Sequence, residues 1–203
     1  GSDNRSGLDG YLFEVSKTDG SLKVIGNTHF SEIVGLSFRP DGTLWGWSEG
    51  KGLIRINPST AAASLVFASS KNVEGLAWTK DGSKLFATAG KNLYVYNPST
   101  NQLNSVSSNL PGETEALEVL PDGTLIGAYN NGTKLFVYDV STKTVITSRS
   151  ISISPYNDVE SIAWPECLPA PAARTAVTQP GVSASYDLLL TRERALAAAP
   201  RHL

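Results

Sequence analysis

Apolar residues along the chain come in short stretches set off by turn-forming residues, and the stretches repeat. Val34-Gly35-Leu36-Ser37-Phe38, Glu74-Gly75-Leu76-Ala77-Trp78, Glu115-Ala116-Leu117-Glu118-Val119 and Glu160-Ser161-Ile162-Ala163-Trp164 align without gaps, at offsets of 40, 41 and 45 residues. After the first three come Arg39-Pro40-Asp41-Gly42, Thr79-Lys80-Asp81-Gly82 and Leu120-Pro121-Asp122-Gly123. Asp-Gly supplies the positive φ of a tight hairpin, so each marks a strand-turn-strand connection. The next stretches, Thr43–Trp47, Lys84–Thr88 and Thr124–Ala128, are predicted second strands, and Leu53–Ile56, Leu93–Tyr96 and Leu135–Tyr138 third strands. Turns at Asn57-Pro58-Ser59-Thr60, Asn97-Pro98-Ser99-Thr100 and Asp139-Val140-Ser141-Thr142 then lead into more polar fourth strands.

Four antiparallel strands in a period of roughly 40 residues predict an all-β fold of β-propeller blades, whose first strands line a central channel. Three blades read as complete. Tyr11–Val15, the Thr18-Asp19-Gly20 turn and Leu22–Ile25 read as the third and fourth strands of a further blade, and Val159–Trp164 as its first strand, a composite blade built from the two termini. Its second strand is expected after Trp164, where the chain instead runs Pro165-Glu166-Cys167-Leu168-Pro169-Ala170-Pro171, a proline density incompatible with a central strand. The expected organisation is therefore a leader over 1–9, with Gly1-Ser2 as a cloning scar on an excised segment, a propeller domain over 10–164, and an irregular Pro/Ala-rich tail over 165–203 that is loosely ordered or disordered. Within the tail, Tyr186–Thr191 offers a replacement strand and Thr191–Ala199 a short helix. Three arrangements remain open: a small four-bladed ring, a half that pairs as a homodimer, or a piece of a larger ring.

Composition narrows the function. With 40% hydrophobic and 18% charged residues the chain has the balance of a folded domain. A net charge of -2, with Lys and Arg scattered singly, offers no basic stripe for nucleic acid. No apolar run approaches the ~18 residues of a membrane span, and no signal peptide is readable, although excision removes such a signal. Cys167 has no partner for a disulfide and no neighbours for a zinc site.

The position before each Gly-Leu element carries the most suggestive chemistry: Glu74, Glu115 and Glu160, with Val34 in the fourth place. Equivalent positions on first strands converge near the channel axis, so three carboxylates approach one another. Like charges at close range raise each other's pKa or recruit a cation, and oxygen ligands suit Ca²⁺ or Mg²⁺. Glu113 and Asp158 stand nearby as outer partners. The alternative is that these glutamates face water or accept backbone hydrogen bonds. Trp47, on the same strand face as Trp45, replaces Thr88 and Ala128 in its column and offers either a ligand platform or a large inner filler. His29 and His202 lie too far apart in sequence to assemble a His-carboxylate-nucleophile set.

The stretch Val34-Gly35-Leu36-Ser37-Phe38-Arg39-Pro40-Asp41-Gly42-Thr43-Leu44-Trp45-Gly46, followed by Leu53-Ile54-Arg55-Ile56-Asn57-Pro58-Ser59-Thr60, resembles the bacterial propellers of the NHL, SMP-30 and phytase-like group over about residues 10 to 164. The resemblance implies blade architecture and a calcium or other divalent ion on channel glutamates. It leaves function open, since such blades occur in lactonases, phosphoesterases and non-catalytic surface modules. The asparagine and aspartate that the lactonases add to the metal have no clear counterpart here. The expected function is a binding or scaffold module of a secreted or cell-surface bacterial protein, with protein or carbohydrate as its ligand and Ca²⁺ or Mg²⁺ in the channel. The alternatives are a metal-dependent hydrolase of lactonase or phosphoesterase type, and a metal-free protein-interaction propeller.

Overall fold

A computed structural model describes residues 2–3 and 7–164. The chain is all-β, in four antiparallel sheets. The first holds β1 (Ser2–Asp3), β2 (Tyr11–Val15) and β3 (Leu22–Asn27). The second runs in chain order through β4 (Ile33–Phe38), β5 (Leu44–Ser48), β6 (Gly52–Ile56) and β7 (Ala63–Ala68). The third repeats this order with β8 (Gly75–Trp78), β9 (Leu85–Ala89), β10 (Asn92–Asn97) and β11 (Gln102–Ser107). The fourth comprises β12 (Thr114–Val119), β13 (Leu125–Tyr129), β14 (Lys134–Asp139), β15 (Thr144–Val145) and β16 (Ile151–Ser152), the last two both pairing with β14.

Local chemistry sets the hairpins. In each Asp-Gly turn the aspartate Oδ1 accepts the backbone N–H two residues on, at 3.0 Å from Ser21, Thr43, Ser83 and Thr124. The glycine that follows takes φ between +65° and +83°, a conformation that a Cβ makes costly. The third-to-fourth-strand turns use the same device: Asn57, Asn97 and Asp139 accept the N–H groups of Ser59, Ser99 and Ser141.

Core lies between successive sheets. Leu12 and Ile25 of the first sheet meet Ile33, Leu44, Ile54 and Ile56 of the second. Trp45, Trp47 and Leu53 meet Leu76, Trp78, Leu85 and Tyr96, with the Trp45 and Trp78 rings edge to face at 5.2 Å. Phe86 and Leu93 of the third sheet meet Val119, Leu125 and Tyr138 of the fourth. The far face of the fourth sheet is covered by Ile153, Val159, Ile162 and Trp164.

First strands of neighbouring sheets run close together because one residue in each is small. A Cβ on Gly35 would stand 2.7 Å from the Glu74 carbonyl oxygen, and one on Gly75 would stand 2.5 Å from Thr88 Oγ1 and 3.4 Å from the Glu115 carbonyl oxygen. Ala116 is the third member of this column. Thr88 locks the arrangement: its hydroxyl accepts the Gly75 N–H at 3.1 Å and donates to the Thr114 carbonyl at 2.8 Å.

The structure revises the sequence reading in three places. Val159–Trp164 is not a ladder strand: only Ala163 forms an isolated bridge there. Among the described residues no second strand extends this segment, and its apolar residues bury against the fourth sheet. The second-strand position of the first sheet is held by β1, with Asp3 opposite Tyr11 as Ser48 is opposite Gly52 in the second sheet. The fourth strand of the last sheet is broken by a 3₁₀ turn at Thr147–Arg149, after which β16 returns to the start of β14. The expectations for Cys167, Tyr186–Thr191, Thr191–Ala199, His202 and the whole 165–203 tail lie outside the described residues. Among the described residues no helix is long and apolar enough to cross a membrane.

Candidate functional site

The acidic residues singled out from sequence are carried by the starts of the first strands. Glu74 immediately precedes β8, Glu115 is the second residue of β12, and Val34 is the second residue of β4. The close packing of β8 on β12, enforced by Gly75, brings the backbones of Glu74 and Glu115 to neighbouring strands at one end of the sheets. Glu160 reaches the same neighbourhood from the segment that covers the fourth sheet.

The electrostatics reflect that convergence. Burial pushes the Glu115 carboxyl up to about 7, helped by the nearby negative charges of Asp158, Glu74, Glu160 and Glu113. Glu74 is also raised, first by burial and then by Glu113 and Glu49. The Oε2 atoms of Glu74 and Glu115 are both shielded from solvent and accept no hydrogen bond. A carboxylate oxygen in that condition is costly unless a proton or a cation relieves it. Among the described residues, no three His, Cys, Asp or Glu side chains stand close enough to form a ready-made metal cage.

A second acidic column escaped the sequence reading as a pattern. Two positions before Val34, Glu74, Glu115 and Glu160 stand Glu32, Asn72, Glu113 and Asp158, which the same gapless alignment makes equivalent. Glu32 and Asp158 take positive φ, 48° and 62°. Glu49, in the turn between β5 and β6, joins the group by acting on Glu74. The repeat spacing contained the signal for the column; Glu49 has no counterpart at Gly90 or Asn130, so the repeat gave no sign of it.

Trp47 lies between the second and third sheets, in one cluster with Val73 and Leu76 on either side of Glu74 in sequence. It is 1% exposed, and its indole N–H donates to the Lys71 carbonyl at 2.9 Å. His29 is exposed in the connection between β3 and β4, with φ of 62°.

No family model matches the chain, and no curated protein matches it. Solved structures do. A luciferin-regenerating enzyme superposes with a TM-score of 0.56 at 19% identity, over 77% of this chain and 60% of that one. An auxiliary nutrient binding protein of Bacteroides thetaiotaomicron gives 0.51 at 19% identity, over 66% of this chain and 34% of that one. The extracellular domain of a one-component system of B. thetaiotaomicron gives 0.50 at 19% identity, over 79% of this chain and 23% of that one. These are propeller-type folds, and at such identities the likeness establishes a propeller-like fold and nothing finer. The chain spans between 23% and 60% of the lengths of these structures.

Proposed function

We propose that this chain is a propeller binding module of a secreted or cell-surface protein, and that the acidic end of its first strands takes a divalent cation, Ca²⁺ or Mg²⁺, on Glu74, Glu115 and Glu160. In this reading the second, third and fourth sheets are complete blades and the first is partial. The observation that carries the proposal is the pair of buried, unpartnered oxygens on Glu74 and Glu115 inside a group of like charges. Removing two neighbouring carboxylates from water without a counter-charge is unfavourable, and a hard cation coordinated by oxygen offsets it. Bound there, the ion would supply a fixed positive charge that ties neighbouring first strands together and presents an electrophilic centre to an oxygen-bearing ligand.

Two of the similar structures support the broader part of the reading by their descriptions, one a nutrient binding protein and one an extracellular domain. A protein or carbohydrate ligand fits such a module. A competing reading has a specific observation behind it. Among the described residues no three ligands are preassembled, and a carboxyl at about 7 is readily protonated, so a proton on Glu115 also relieves the repulsion.

Calorimetric titration with CaCl₂ and with MgCl₂ at pH 8 separates the two. The cation reading expects saturable binding of one ion, abolished in Glu115→Gln and weakened in Glu74→Gln. Absence of binding heat with both salts would leave the metal-free module.

A further inference from the structure

The Asp-Gly turns close the first strands at the end away from Glu74 and Glu115, and successive turns meet in different ways. Between the second and third sheets, Arg39 spans the gap. Its Nε donates to the Gly82 carbonyl of the next turn at 3.1 Å, its Nη1 donates to Asp41 Oδ2 at 3.1 Å, and its guanidinium lies 5.1 Å from the centre of the Trp78 ring. Between the third and fourth sheets the repeat puts Thr79 in the place of Arg39 and Val119 in the place of Trp78. Thr79 is too short to cross, and its hydroxyl turns back onto Asp81 at 2.6 Å. Two large side chains fill the first gap; with small ones in their places, the second is an open groove of about 400 Å³.

The acceptors that hold Arg39 are repeated across that groove. Asp81 stands where Asp41 does, and Gly123 where Gly82 does. The Gly82 and Gly123 turns share one conformation, with φ of 65° and 83° and N–H bonds of 2.8 and 2.9 Å to Thr79 and Leu120, so their carbonyls are equivalently placed. Hydrogen bonds from the Thr79 hydroxyl and from Ser83 hold the Asp81 carboxyl at about 2, ionised at neutral pH. Asp41 carries Arg39 and Asp122 carries Arg149, whereas Asp81 has no guanidinium partner among the described residues.

We propose that this groove takes an arginine side chain of a partner protein, with its guanidinium on Asp81 and the Gly123 carbonyl and its methylene stem along Val119 and Leu120. The planar fork of arginine matches a carboxylate and a carbonyl together, which the point charge of lysine does not. Lys80 and Lys84 also line the groove, but both are exposed, and a long stem lets the ammonium group stay in water. The groove is open, so the polypeptide bearing the arginine remains outside it. The proposal is independent of the cation reading, because it uses the opposite end of the sheets.

Amide NMR of the full chain, titrated with a blocked glycine-arginine-glycine tripeptide, with its lysine counterpart and with free arginine, tests it. The arginine peptide should shift the amides of Ser83, Gly123 and Thr124 saturably, and the lysine peptide should bind at least about tenfold more weakly. Thr79→Arg should fill the groove from within and abolish the response. Asp81→Asn keeps an acceptor for the turn and should weaken binding at least about tenfold. The proposal is overturned by the absence of saturable shifts, by equal binding of the lysine peptide, or by a response unchanged in Thr79→Arg or in Asp81→Asn. Free arginine binding more tightly than the tripeptide would rule out the protein partner.

Discussion

Glu115 is where the sequence's acidic column acquires measurable chemistry. Its carboxyl is pushed from 4.5 to about 7 in the folded chain, mainly by burial. The folded state therefore binds more protons than the unfolded state between those values, and stability must decline as pH rises through that window. This contribution is fully present below about 4.5 and lost above about 7. In EDTA, thermal melts of the wild type should show the decline, while Glu115→Gln should be flatter over the same range and melt higher than the wild type at pH 8. A wild-type melting temperature that climbs between pH 5 and 8 in parallel with the variant's would contradict the buried, repelled carboxyl. The column of glutamates was legible because repeats place equivalent residues at equivalent points. The burial of Glu74 and Glu115 was not, since it depends on how closely β8 and β12 approach.

That approach is a property of the elements, and it rests on residues too plain to attract notice in a sequence. Gly35 leaves room for the Glu74 carbonyl of the next sheet, and Gly75 for Thr88 and Glu115. Gly35→Ala should destabilise by about 1–3 kcal/mol, the usual cost of overpacking against backbone, in chemical denaturation. The reverse change at the third member of the column, Ala116→Gly, should cost less than about 1.5 kcal/mol, since it adds no clash. Equal costs would mean that the column does not govern the spacing. Strands and hairpins were readable because Asp-Gly and Asn-Pro-Ser-Thr turns fix their own geometry through side-chain acceptors, as with Asp41 to Thr43. The elements that sequence missed lack such local signals. β1 is two residues long, Val159–Trp164 has an apolar pattern but among the described residues forms only the bridge at Ala163, and the split between β15 and β16 follows from how the chain returns to β14. Trp47 shows the same limit. Its column marked it as unusual, but only the packing of two sheets places its ring between them and its N–H on Lys71.

At the scale of the whole molecule, four sheets follow one another with apolar contacts at each junction, and the first strands gather their acids at one end. Every junction buries large side chains, while Phe38 of β4 and Val15 of β2 are exposed where their counterparts in the other sheets are buried. The acidic end links three sheets through residues that repel one another as they stand. A cation there would therefore act on the stability of the whole stack, not on one loop. The most direct measurement is the melting temperature of the full chain at pH 8 in EDTA and in CaCl₂ at about one hundred times its dissociation constant. Binding at that excess stabilises by about 2.7 kcal/mol, which for a domain of this size raises the midpoint by about 5–10 °C. The account predicts that rise in the wild type and none in Glu115→Gln. An unchanged midpoint in the wild type, or an equal rise in the variant, would contradict it.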